Sequence, residues 1–203
     1  MHTLRYSPTA DSLGRDTVTV TYAALGIADQ IWMPQKGLIL IDSSLDPVAR
    51  HSSLAHMLAH LDLGHRVHDA GTAAGREHVL RQEVAADTLV AGRLVYVDDI
   101  VAALLVHGSD ASTLAYALGV SVSTLANRMR SLAPAEWDRI RLAGPPITWP
   151  AELPAAPRCL IGEVSAAWAP GVRLRTTRVP AVVDLPLSGP LRQRVAWTCQ
   201  AVG

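Results

Sequence analysis

The sequence has no Phe, a single Lys at position 36, two Cys and no excess of charge of either sign. Each shortage removes a class of explanation. Apolar residues still make up 49% of the chain, so an ordinary core can form, with Leu, Val and Ala doing most of the packing. A formal net charge of zero argues against a protein whose main business is coating nucleic acid or anionic membrane. All other basic residues are Arg, which reads as compositional bias rather than function. Cys159 and Cys199 stand alone, in no C-x-x-C pair, so neither a disulfide scaffold nor a zinc ribbon is indicated. No run of about 18 apolar residues exists, and Met1-His2-Thr3-Leu4-Arg5 has no apolar signal core, so a cytoplasmic protein without a membrane partner is expected. A length of 203 residues allows one domain with a small appendage.

What the chain does have is histidine in one place. Six of its eight His lie between His51 and His78. His56 and His60 are four residues apart, so a helix stacks them on one face with ring nitrogens able to meet at one point. A catalytic zinc takes three protein ligands and keeps a position open. Glu83, on a second expected helix, is the third candidate ligand. Asp87 lies one turn further along and is placed to accept the remaining N–H of a ligating imidazole. The zinc-peptidase motif H-E-x-x-H also needs a Glu after the first His as general base. Here that position is Met57, whose thioether is a weak acceptor and no base at neutral pH. A pair of His at this spacing is by itself a weak motif. Two core histidines with hydrogen-bond partners would account for it as well.

The surrounding elements can be read from local signals. Residues 1–16 are polar with Pro and Gly, as in an arm or frayed start. Thr17–Tyr22 alternates like a strand, and Ile31–Met33 and Leu38–Ile41 flank Pro34-Gln35-Lys36-Gly37 as a hairpin. Leu38–Ile41 is apolar on both faces, so one face should pack on the histidine helix. An open edge of such a sheet can pair with an extended peptide, although a plain core sheet explains the sequence equally well. Asp46-Pro47 opens a helix over roughly 47–63, with Gly64 as its stop. Leu54, Leu58 and Leu61 form one stripe on it, and His56, His60 and Leu63 another. The loop 65–75 offers His65 and His68, and with Glu77 these are the possible substitutes for the missing base. A helix over 77–94 should turn inward Leu80, Glu83, Val84, Asp87, Val90, Ala91 and Leu94.

Downstream, residues 98–107 form a short apolar helix. The stretch 110–132, with Gly119 in the turn and Ser121 as cap, has a helix-turn-helix pattern. DNA reading would use Ser123, Asn127, Arg128 and Arg130, but the neutral chain lacks the concentrated basic surface that phosphate contacts require. Packing against the metal site is the favoured role for this segment. Pro134 starts a last helix to about Leu142. The Pro-rich connector 145–157 then leads to an extension, 158–203, with strand-like segments at 159–164, 172–177 and 179–185, and a further segment at 191–202. Too short for its own core, this extension should dock on the main domain or a partner.

Four segments, in order, resemble the ImmA/IrrE family of zinc metallopeptidase-like proteins. They are G-L-I-L-I-D-S-S-L-D-P-V-A-R, L-A-H-M-L-A-H-L-D-L-G-H, E-V-A-A-D-T-L-V-A-G-R-L and L-A-Y-A-L-G-V-S-V-S-T-L-A-N-R-M-R-S-L. The resemblance implies an α+β fold: a metallopeptidase domain in residues 1–144, with a zincin-like core of a small antiparallel sheet on the active-site helix followed by the helix-turn-helix-like segment 110–132, and then a short β-rich tail. It maps the zinc ligands onto His56, His60 and Glu83, and the catalytic Glu onto Met57. The implied function is that of a zinc-binding metallo-endopeptidase homologue acting on, or binding, a DNA-binding repressor in gene regulation. Met57 leaves its peptidase activity weak or lost, so enzyme and pseudoenzyme both stand. The alternative is a helix-turn-helix DNA-binding regulator with a structural metal site.

Overall fold

The structure, a computed structural model, describes residues 5–26, 28–66, 72–153 and 159–161. Its class is α+β, with seven α-helices and one small sheet among the described residues. The strands are β1 (Thr19–Ala23), β2 (Gln30–Met33), β3 (Leu38–Asp42) and β4 (Cys159–Ile161), in the order β1-β3-β2-β4. The expected hairpin is present: β2 and β3 pair antiparallel around a single 3-10 turn at Pro34–Lys36. Gly37 closes that turn at φ 56, where a Cβ would meet the Thr17 carbonyl oxygen at 2.1 Å, so only glycine fits.

The sheet as a whole is mixed, which corrects the expectation of an antiparallel one. β1 runs parallel to β3, and β4 parallel to β2. The reason lies in the link after β1. The Asp42 carboxylate, at the end of β3, accepts from the Leu25, Gly26 and Ser44 amides at 3.1, 3.2 and 2.7 Å. That clamp holds the loop beyond β1 against the far end of β3, so β3 enters between β1 and β2. Alternating sequence announces a strand but not its neighbour.

Helix α2 (Pro47–Asp62) lies on one face of the sheet. Asp46 caps it by accepting from the Ala49 amide at 2.9 Å, Pro47 occupies its first turn, and Gly64 follows at φ 63. Residues 52–60 are buried without interruption. Leu63 is exposed, so the expected stripe of His56, His60 and Leu63 ends at His60. Leu54, Met57 and Leu58 pack with Trp32, Ile39, Ile41, Cys159 and Ile161, while Ile31, Met33 and Leu40 fill a second cluster on the opposite face.

Helix α3 (Ala73–Leu94) begins one turn earlier than expected because Thr72 caps it. Ala55 and Ala59 of α2 meet Ala86 and Val90 of α3, and such small side chains allow two helix axes to come close. This contact selects the inner face of α3. Leu80 and Val84, expected inside, are exposed. Residues 8–13 form a helix: α1 (Pro8–Leu13) packs beside α2, and Arg15 bridges Asp11 and Asp62 at 2.9 and 2.6 Å. No arm exists over 8–13; local polarity hid a capped turn held by one local ion pair, Asp11–Arg15, and one long-range pair, Arg15–Asp62.

The second core forms from α4 (Val97–His107), α5 (Ala111–Ala117), α6 (Val122–Arg130) and α7 (Pro134–Ala143). α5 and α6 are joined through Gly119 at φ 67, and Ser121 caps α6 by accepting from the Thr124 amide. Thr148, in the connector, exchanges backbone hydrogen bonds with Ser109 and Ala111. The extension contributes β4 to the sheet of the core, and its other strand-like segments lie outside the described residues, as does His68.

Candidate metal centre

Two helices and one strand bring four donor atoms together. His56 Nε2 stands 2.8 Å from His60 Nε2, and Glu83 Oε2 lies 3.0 Å from the first and 3.4 Å from the second. The Cys159 sulfur joins them, all four donors lying within 4.8 Å of one another. His56, His60 and Cys159 are buried and the Glu83 side chain is only 14% exposed. A buried His56, His60, Glu83 and Cys159 cluster of this kind can hold a metal ion. Two donors at 2.0–2.1 Å from a tetrahedral metal stand about 3.3 Å apart, so the spacing suits such an ion.

Proton positions follow from the outer partners. Asp87 Oδ1 lies 3.2 Å from His56 Nδ1. A neutral imidazole carries one N–H: on Nε2 it donates to Glu83, and on Nδ1 it donates to Asp87 and leaves the Nε2 lone pair toward the cluster, the form a metal needs. On the other imidazole, His60 Nδ1 stands 2.8 Å from His65 Nδ1. That places His65 behind a candidate ligand and not at a substrate. Burial, then the neighbouring His56, push the His60 pKa down, outweighing the pull of Glu83 and Asp87. Burial would raise Glu83, yet hydrogen bonds from His56 and His60 reverse this and leave its carboxyl well below the usual range. His60 is thus held toward the neutral imidazole and Glu83 toward the carboxylate, the forms that bind metals.

The remaining donors considered from the sequence sit elsewhere. Glu77 is exposed and ion-paired with Arg81 at 2.8 Å. Met57 is fully buried among the apolar residues between α2 and the sheet. Arg128, considered for DNA reading, instead donates from Nε to the Val95 carbonyl at 2.9 Å and pairs with Glu136 at 2.7 Å. Arg130 Nη1 donates to Asn127 Oδ1 at 2.7 Å.

Sequence reasoning missed Cys159. An isolated thiol far along the chain from His60 carries no motif, and its one local signal is that it opens the first apolar run after the connector. Gln30 was missed as well. Its register partner across the parallel ladder is Cys159, and alternation puts it with Trp32 on the face toward α2. The side chain is fully buried, and neither amide atom has a hydrogen-bond partner among the described residues. Such an orphaned amide is costly, about 1–3 kcal/mol, unless water or another polar group meets it.

No helix among the described residues is long and apolar enough to cross a membrane. No protein-family model matches the chain, and no curated protein matches it.

Proposed function

We propose that this chain is a metal-binding homologue of the ImmA/IrrE-type zinc metallopeptidases that engages a DNA-binding repressor, its peptidase activity weak or lost because Met57 replaces the general base. The observation that carries this reading is a convergent His56, His60 and Glu83 set beside a Met57 buried in apolar surroundings. Zinc is the metal this donor set suits, as imidazole, carboxylate and thiolate together favour it. Bound there with one coordination position open, it would act as a Lewis acid toward a peptide carbonyl. The side chains supply the rest. His56 and His60 hold their spacing rigidly because one buried helix carries both, and Asp87 orients the His56 ring. No carboxylate is available at position 57 to take a proton, and the thioether keeps that side dry.

The test compares the full chain with Met57→Glu at equal zinc loading, against a panel of helix-turn-helix repressors, scoring cleavage by gel and association by calorimetry. The unaltered chain is expected to bind one of them with little cutting. If a coordination position is open to substrate, Met57→Glu should raise hydrolysis by roughly 10²–10⁴, the range that general-base catalysis supplies. Rapid cleavage by the unaltered chain would overturn the pseudopeptidase reading. A DNA-binding regulator built on α5 and α6 is the alternative. It has less support, since Arg128 is committed to Val95 and Glu136.

A further inference from the structure

We propose that Cys159 is the fourth ligand of the metal, making a closed four-ligand centre in which the chain's own β4 seals both the position a catalytic metal keeps open and the sheet edge an extended peptide would use. The inference rests on the metal-binding reading of His56, His60 and Glu83, and goes beyond it in saying what fills the remaining coordination position.

Three observations converge. The sulfur lies within 4.8 Å of every other donor, whereas a catalytic zinc has three protein ligands and a vacancy for substrate. A fourth protein donor, and a thiolate above all, is the mark of a closed site. Next, β4 pairs in parallel with β2 through Gln30↔Cys159, Ile31↔Leu160 and Trp32↔Ile161. β2 would otherwise be the open edge on this side of the sheet, so strand addition by a foreign peptide at β2 requires β4 to leave. Finally, Gln30 brings an unpartnered, fully buried amide alongside Cys159 in register. Its N–H groups make no hydrogen bond as the residues stand, and the strand register sets them next to the sulfur, where a metal-bound thiolate would offer a charged acceptor. On metal binding the thiol gives its proton to solvent and the sulfur lone pair goes to the metal. The metal thereby ties the segment after the Pro-rich connector to α2 and α3. Met57 belongs to the same apolar cluster as Cys159 and Ile161, so a dry, sealed metal side follows from β4 being in place.

The experiment uses the full chain carrying Cys199→Ser, which leaves Cys159 as its single thiol, loaded with cobalt(II) in place of zinc. The unaltered site should give intense visible bands of tetrahedral cobalt and a thiolate-to-cobalt charge-transfer band in the near ultraviolet. It should also show no change on adding acetohydroxamate, a chelating probe of open positions. Cys159→Ala should lose the charge-transfer band, weaken cobalt at least as much as the ~10–100-fold loss typical of outer-sphere partners, and respond to the hydroxamate. Gln30→Leu should keep the ligand set but shift the charge-transfer energy. The first measurement needs no variant of the site, so a misfolded Cys159→Ala leaves the proposal testable. Cobalt bound without a thiolate band overturns the closed centre and leaves the three-ligand reading standing. Failure to bind any cobalt or zinc overturns both. A hydroxamate response equal in the two proteins overturns the sealing of the open position.

Discussion

Replacing Met57 by Glu tests where that side chain sits before any catalysis is measured. The Met57 side chain is fully buried, with Trp32, Ile39, Ile41, Leu54, Leu58, Cys159 and Ile161 in its cluster. Exchanging it for Glu forfeits about 1.5–3 kcal/mol of apolar burial. A carboxyl without a partner in that cluster adds a penalty of about 1–3 kcal/mol. The expected loss in the metal-free protein is therefore about 2.5–6 kcal/mol, a large share of the ~5–15 kcal/mol that holds a domain folded. Met57→Leu keeps volume and polarity and should stay within about 1.5 kcal/mol. Urea titration followed by circular dichroism reads both, and the thermal midpoint of Met57→Glu should fall by roughly 10 °C at about 2–4 °C per kcal/mol. The deficit should narrow toward acidic pH, because a desolvated carboxyl takes up a proton and is then cheaper to bury. Zinc should restore part of the loss if the introduced carboxylate can turn toward the metal. A metal-free Met57→Glu within about 0.5 kcal/mol of the parent, the range of ordinary surface changes, would refute the buried placement.

Asp87→Ala should weaken zinc about 10–100-fold in competition with a chromophoric chelator, because the His56 ring loses its orienting partner; unchanged affinity would remove Asp87 from the site. Ala59→Leu should cost about 1–3 kcal/mol by forcing α2 from α3, and should lower zinc affinity too, since Glu83 rides on α3. Equal zinc binding by that variant would show that helix spacing does not set the site. Burial raises the Asp42 carboxyl, but hydrogen bonds from Ser44, Gly26 and Leu25 more than reverse this and hold its pKa below the ordinary value. A depressed carboxylate contributes stability above its unfolded pKa of about 3.9 and loses it as pH falls through the folded value. Asp42→Asn should accordingly cost about 1–3 kcal/mol at pH 7 and progressively less below about pH 4. A pH-independent difference in urea midpoint would reject the carboxylate's role.

Much of this protein is determined by signals a few residues long. Asp46-Pro47 and Gly64 set the ends of α2, and Ser121 caps α6, because capping is a bond between a side chain and a backbone amide two or three residues away. The four-residue spacing of His56 and His60 carries the convergence of their Nε2 atoms for the same local reason. Apart from the family resemblance, Glu83 was legible only as a charge within the apolar stripe of a helix. The pattern on α3 also admitted Leu80 and Val84 as inner residues, and the alanine contact with α2 decided against them. Three features belong to tertiary structure alone. The Asp42 clamp chose a mixed sheet over an antiparallel one. The long-range Arg15–Asp62 ion pair holds α1 beside α2. The pairing of β4 with β2 carried Cys159 to the histidines and set Gln30 beside it. Strand partners and metal donors distant in sequence meet through burial of whole faces, and periodicity reports that a face exists without naming what will cover it.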